Sequence, residues 1–120
     1  EDFDFVAKLR QPTIIGIVAE HDGLLAGHCV YIAGKHEVFV ERLAVAREYR
    51  RKGIARTLVD KLQGKLHGNR RRVVMDVRDH NLAGQLFAKA CGFRALGIKP
   101  NWFDDGEDSY TMVIERDECM

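Results

Sequence analysis

Residues 43–55 read Leu-Ala-Val-Ala-Arg-Glu-Tyr-Arg-Arg-Lys-Gly-Ile-Ala, and this stretch decides how the rest of the chain is read. Leu43-Ala44-Val45 closes an apolar, strand-like run, Gly53-Ile54-Ala55 opens a helical one, and Arg47, Arg50, Arg51 and Lys52 lie between them. A strand–loop–helix junction gathers backbone N–H groups at the positive end of the helix dipole, which suits a phosphate. Gly53 allows backbone and ligand to approach closely, and the flanking cations attract a diphosphate. Neither the glycine-rich Walker loop nor the GxGxxG dinucleotide pattern occurs. A helix start with solvated arginines would use the same residues, so the string gains meaning only from its surroundings.

Upstream, Thr13–Ala19 reads as a strand, Asp22-Gly23 as a turn, Leu24–Ile32 as a second strand and Glu37–Val45 as a third after Gly34-Lys35, an antiparallel meander. Downstream, Ile54, Leu58, Leu62 and Leu66 recur every fourth residue with Ala55 and Val59 beside them, which predicts a helix over roughly 53–66 with Gly68 as its stop signal. Val73, Val74, Met75 and Val77, interrupted only by Asp76, predict a central strand covered on both faces and joined to the meander by a parallel crossover. Asn81 is a cap for a second helix in which Ala83, Leu86, Phe87 and Ala90 share a face, with Gly92 past its end. Phe93–Lys99 and Ser109–Glu115 close the chain as a hairpin across the loop Pro100–Asp108. The fold class is α/β with a mixed sheet, and the absence of repeats and linkers makes residues 1–120 a single domain.

Composition agrees. A chain of 120 residues with 46% hydrophobic and 31% charged residues has the balance of a folded globule, which excludes disorder and low-complexity scaffolds. No apolar run approaches the roughly 18–20 residues of a membrane helix and no signal-peptide pattern opens the chain, so a soluble protein with no membrane partner is expected. Cys29, Cys91 and Cys119 form an odd set without a CxxC pair, which argues against a disulfide framework or a zinc ribbon and for a reducing cytoplasm. The five histidines show no paired ligand spacing, so no metal is expected. With a net charge of +1 and no aromatics interleaved with Arg70–Arg72, nucleic acid is not the expected partner. Asp104, Asp105, Glu107 and Asp108 form an acidic patch, and Asp105 and Glu107 beside a cleft would draw a cationic acceptor.

Arg50-Arg51-Lys52-Gly53-Ile54-Ala55, with Leu43-Ala44-Val45 before it, resembles the Q/R-x-x-G-x-G/A signature of the GNAT superfamily of acetyl-CoA-dependent N-acetyltransferases. Asn81, Leu86-Phe87 and Cys91-Gly92-Phe93 look like that superfamily's next block. Asn101-Trp102-Phe103, Gly106-Glu107-Asp108 and Met112 are similar to the last hairpin of the ribosomal-protein-alanine (RimI-like) enzymes, which acetylate protein amino termini. The resemblance implies that acetyl moves directly from acetyl-CoA to a primary amine, at a protein or peptide amino terminus or on a small molecule. It implies that the backbone from Arg51 through Lys52, Gly53 and Ile54 to Ala55 binds the pyrophosphate, with Arg50 and Lys52 near its phosphates. Leu43 and Val45 would meet the pantetheine arm and polarise the thioester carbonyl, Asn81 would contact pantetheine, and Phe87 would serve in core or pantetheine packing.

Two positions depart from the RimI-like pattern. Asp76 stands where those enzymes carry a glutamate proposed as base, and desolvation in its apolar run would raise its carboxyl pKa toward a useful range. The bland alternative is a buried carboxylate satisfied by its neighbours. Phe87 stands where they carry a tyrosine proposed as acid, and it has no proton to give, which keeps open a non-catalytic acyl-CoA-binding module. Tyr110, His80 and Cys91 are substitutes no stronger than their structural roles. An α-amine is about one part in seven neutral at pH 7 and a lysine amine about one in 2,500, so an amino terminus needs little help. The family's N-terminal strand and helices are expected to be largely absent, leaving a free sheet edge through which a homodimer could form, or a chain truncated ahead of Glu1.

Overall fold

Alternation and turn chemistry build four strands in the first 45 residues of the computed structural model, which describes residues 4–10 and 14–116. They are β1 (Asp4–Arg10), β2 (Ile14–His21), β3 (Leu24–Ala33) and β4 (Glu37–Val45). Thr13, expected to open the meander, lies outside the described residues, as do Glu1, Pro12 and Cys119. Asp22 (φ 52°) and Gly23 (φ 78°) make the two-residue turn between β2 and β3, the left-handed pair that matches strand twist. β1 corrects the expectation of an empty N-terminal edge. Phe5, Ala7 and Leu9 alternate with Asp4, Val6, Lys8 and Arg10, a period-two signal that Val6 weakens. The strand pairs antiparallel with β2 and so occupies the edge on which the homodimer argument rested.

After β4 come α1 (Ile54–Gln63), β5 (Arg72–Arg78), α2 (Leu82–Ala90), β6 (Arg94–Lys99) and β7 (Ser109–Glu115). The sheet order is β1-β2-β3-β4-β5-β7-β6, and β4 with β5 is its parallel pair. The first helix ends at Gln63 rather than near 66: after Gly64 the bonds change to i→i−3, from Lys65 N to Leu62 O at 3.0 Å and from Leu66 N to Gln63 O at 3.1 Å; Leu66 is nevertheless buried. Leu58, Val59 and Leu62 on α1 pack with Val73, Met75 and Val77 on β5, and Ala88 of α2 joins the same core. Burying each of the two leucines contributes about 1.5–3 kcal/mol.

Two irregularities position the site. Val30 pairs with Arg42 and Tyr31 with Val40, so Glu41 is an extra residue in β4, and such a bulge bends the strand. β4 and β5 then pair only from Glu37–Arg72 to Val40–Met75. Beyond Val40, residues 41–45 of β4 and 76–78 of β5 run on without pairing to each other, which opens a notch in the middle of the sheet.

Candidate active site

The residues of the 43–55 stretch come together as the sequence predicts. A short 3-10 turn, Arg47–Tyr49, leads out of β4, and Arg51 (φ 65°) and Gly53 (φ 79°) adopt left-handed backbone before α1 begins at Ile54. Gly53 is the N-cap residue, and its conformation strains any side chain that is not glycine. The first helical bond runs from Thr57 N to Gly53 O, so the N–H groups of the first turn have no intrahelical acceptor. They open onto a cleft of about 660 Å³ lined by Leu43, Ala44, Val45, Arg50, Arg51, Gly53, Ile54 and Ala55 on one side and by Ala83, Gly84, Phe87, Ala90 and Cys91 of the α2 segment on the other. Two expected cations differ. Arg50 Nε donates to Val45 O at 3.2 Å, which ties that guanidinium to the end of β4, and Lys52 does not line the cleft.

A second cavity, about 290 Å³, fills the notch between β4 and β5. It shares Leu43, Gly84 and Phe87 with the cleft, so one path leads from the glycine loop into the sheet. Phe87 packs against the core and lines both spaces where they meet. Asn81 lines the notch and caps α2, its Oδ1 accepting from Gly84 N at 2.9 Å. Its NH₂ lies over Gly84, where a Cβ would stand 2.5 Å from Nδ2, and is left as a donor.

Asp76 lies in the notch wall, but its carboxylate is already engaged. Lys99 Nζ is 3.2 Å from both oxygens and Thr111 Oγ1 donates to Oδ1 at 3.3 Å. The side chain is 8% exposed, and its arrangement is that of the satisfied buried carboxylate.

Asp105 and Glu107 are brought together, though not as free charges facing a cleft. Arg78 Nη1 donates to Asp105 Oδ2 at 2.9 Å and to Glu107 Oε1 at 2.8 Å, and the guanidinium lies 4.0 Å from the centre of the Phe103 ring. Glu107 also accepts from His80 N at 2.8 Å and meets the His80 ring at Nδ1. The Glu107 N–H bond, followed by Arg78, holds the Asp105 carboxyl below its usual range; for Glu107, burial pushes upward but the bonds from His80 and Arg78 outweigh it. This network sets the 101–108 loop so that Phe103 lines the notch. The substitute acids fare no better. A hydrogen bond to Asp79 pushes the Tyr110 phenol up, His80 is engaged by Glu107, and burial pushes up the Cys91 thiol, which lines the cleft.

Arg78, Gly84 and Glu41 line the notch without having been singled out from sequence, and Phe103, read there only as part of the last hairpin, lines it too. Glu41-Arg42, two charges in succession within an otherwise apolar strand, was the readable signal of the bulge.

Residues 1–93 match the profile described as the Acetyltransferase (GNAT) family. A Bacillus subtilis (strain 168) protein provisionally named a ribosomal protein bS18-alanine N-acetyltransferase is 30% identical over 115 residues, covering 92% of this chain and 74% of its own length. Among solved structures, the ribosomal-protein-S18-alanine N-acetyltransferase from Escherichia coli superposes with a TM-score of 0.71 at 22% identity, over 88% of this chain and 71% of that one. A Bacillus anthracis str. Ames protein, provisionally a streptothricin acetyltransferase and solved with acetyl coenzyme A, superposes with a TM-score of 0.80 at 20% identity, over 91% and 66% respectively.

Proposed function

Because this chain belongs to the GNAT acetyltransferase family, we propose that it moves acetyl from acetyl-CoA to the amino terminus of a protein or peptide by direct attack of the amine. The observation that carries this reading is the notch where β4 and β5 part, continuous with the glycine-loop cleft. The residues present fit acetyl-CoA. The left-handed backbone at Arg51 and Gly53 and the unused N–H groups opening α1 suit a diphosphate, while Leu43, Val45, Ala83 and Phe87 give the pantetheine arm an apolar wall.

Acetyl-CoA supplies the activated acyl group. The chain's own part is to hold it and to place charge where it is needed. The β4 segment from Leu43 to Val45 has an edge not paired to β5, whose main-chain groups are available to the pantetheine amides and to the thioester carbonyl. A fixed N–H aimed at the oxygen that gains negative charge lowers the barrier without any covalent enzyme intermediate. The Asn81 NH₂, left as a donor by the cap, is offered to a carbonyl of the arm from the notch wall. Phe87 excludes water between the two cavities and gives no proton, so the thiol leaves as thiolate, which a pKa near 8.5 tolerates.

An amino terminus is favoured as acceptor because the relatives named above include enzymes named for an alanine of a ribosomal protein. The amine pKa points the same way, since an α-amine is neutral far more often than a lysine. The test is thiol release from acetyl-CoA with peptides bearing free amino termini, the same peptides amino-blocked but retaining lysine, and small amines. Turnover confined to free amino termini supports the reading. Turnover on the small amines alone overturns the acceptor class, and acetyl-CoA binding without any turnover leaves a binding module.

A further inference from the structure

The notch between β4 and β5 has two chemically different halves. Val40 and Leu43 of β4 and Met75 and Val77 of β5 pack with the core that α1 covers, and with Gly84 and Phe87 they make an apolar half on the helix side. Side chains alternate along a strand, so Asp76 and Arg78 point to the other face of the sheet, and with Glu41 and Arg42 they supply the charged lining. The glycine-loop cleft reaches the notch through Leu43, Gly84 and Phe87, all three in the apolar half. An acyl group delivered along that path meets hydrocarbon first.

The apolar half also has a closed end. Val38 and Val73 pair with each other and are 0% exposed. Two residues further along, Val40 and Met75 form the last pair before the strands part and are 6% and 8% exposed, with Val77 beyond them at 7%. That residual surface lines the notch. The notch holds about 290 Å³, and an apolar cavity of about 150 Å³, roughly half as much, suffices for a benzene ring. An acetyl group has one carbon beyond its carbonyl and needs far less.

We infer that this enzyme also transfers propionyl and butyryl groups from their CoA thioesters, with the added methylenes lying against Val40, Met75 and Val77. The inference rests on the acetyl-transfer reading above and concerns which acyl groups the same site takes. The step is identical for each chain length. The neutral amine nitrogen attacks the acyl carbonyl carbon, the C–N bond forms, the C–S electron pair leaves on sulfur as thiolate, and the nitrogen releases one proton to solvent, giving the amide. Chain length changes no charge, so selection falls on apolar packing alone. A methylene taken out of water into existing space is worth about fourfold, whereas a pocket with no room for it rejects it by about 10–200-fold.

The experiment measures kcat/KM for acetyl-, propionyl- and butyryl-CoA with one free-amino-terminus peptide, in the wild-type chain, Val40→Ile and Val40→Ala. In the wild type the propionyl value is expected within about fourfold of the acetyl value, the worth of one methylene. Val40→Ile keeps the β-branched side chain a strand favours and adds one methylene at the closed end, so the butyryl-to-acetyl ratio should fall about tenfold. Val40→Ala should raise it. Each ratio is taken within one protein and does not depend on how much of a variant is folded. A wild-type propionyl value about tenfold or more below acetyl, or a ratio that Val40→Ile leaves unchanged, overturns the inference and leaves the acetyl-transfer reading standing. No transfer from any of the three thioesters by the wild type removes both.

Discussion

Lys99 Nζ is equidistant, at 3.2 Å, from the two carboxylate oxygens of Asp76, across the sheet from β6 to β5. The Asp76 side chain is 8% exposed and that of Lys99 36%, so the pair is buried at one end and wet at the other. Solvent at the lysine end keeps its net worth near the upper limit for exposed pairs, about 1 kcal/mol. A double-mutant cycle with Asp76→Asn and Lys99→Met, read by urea unfolding, should show a coupling of that size. A coupling indistinguishable from zero would mean that the pair does not hold the strands.

Arg78 orders the loop that carries Phe103. Arg78→Ala removes both carboxylate bonds and the ring contact at once, so Phe103 should leave the notch wall. The expected result is a rise of about tenfold in acceptor KM, an order of magnitude per roughly 1.4 kcal/mol lost, with acetyl-CoA affinity unchanged because Arg78 does not line that cleft. Arg78→Lys should rescue little, since an ammonium cannot serve two carboxylates and a ring face in one plane. Equal changes in KM and in acetyl-CoA affinity would show a general loss of structure instead.

Acid should loosen the same loop. The carboxyls of Asp105 and Glu107 are both held below their usual range, so the stability they contribute is complete above their unfolded values of roughly 3.9 and 4.3 and is lost as pH falls through the lower folded ones. Amide exchange across residues 101–108 should therefore quicken below about pH 4 in the wild type, and Arg78→Ala should show fast exchange already at pH 7. A loop whose exchange protection does not depend on Arg78 would refute the network.

Gly84 is confined by Asn81. A Cβ there would stand 2.5 Å from Asn81 Nδ2 and 2.9 Å from its Cγ, so Gly84→Ala must push the cap aside. Losing the bond from Gly84 N costs about 1 kcal/mol of helix stability, partly offset by alanine's better helix propensity. The binding effect is the sharper readout, because the Asn81 NH₂ is then no longer aimed. Acetyl-CoA affinity should fall several-fold, and Asn81→Ala should fall as far, with the double variant no worse than either. Additive losses would mean that Gly84 acts otherwise.

Much of the molecule was legible as local pattern. The turn at Asp22-Gly23, the fourfold recurrence from Ile54 to Leu62 and the cap at Asn81 are each specified by neighbours within a few residues, and each element formed where those signals lie. The left-handed position at Gly53 belongs to the same class, since only a local conformational demand singles out glycine there. Misreadings lay where a local signal was weak or was overruled. β1 has only three alternating apolar residues, with Val6 breaking its polar face, and α1 gives way to i→i−3 bonds at Lys65, just ahead of the last periodic leucine.

Spacing along the chain sets the order of elements, the apolar faces and the phosphate-suited loop, so these were readable from the residues alone. Which charges pair with which depends on the packed sheet. Asp76 read from its apolar run either as a base or as a satisfied buried carboxylate, and Lys99 and Thr111, more than twenty residues away, engage it. Asp105 and Glu107 looked like an acceptor lure, yet Arg78 gathers them. Glu41 carried no role in the sequence reading, and the parting of β4 from β5 leaves it lining the notch. Pairing between distant charges depends on which strands lie side by side, and that is settled by packing of the whole sheet.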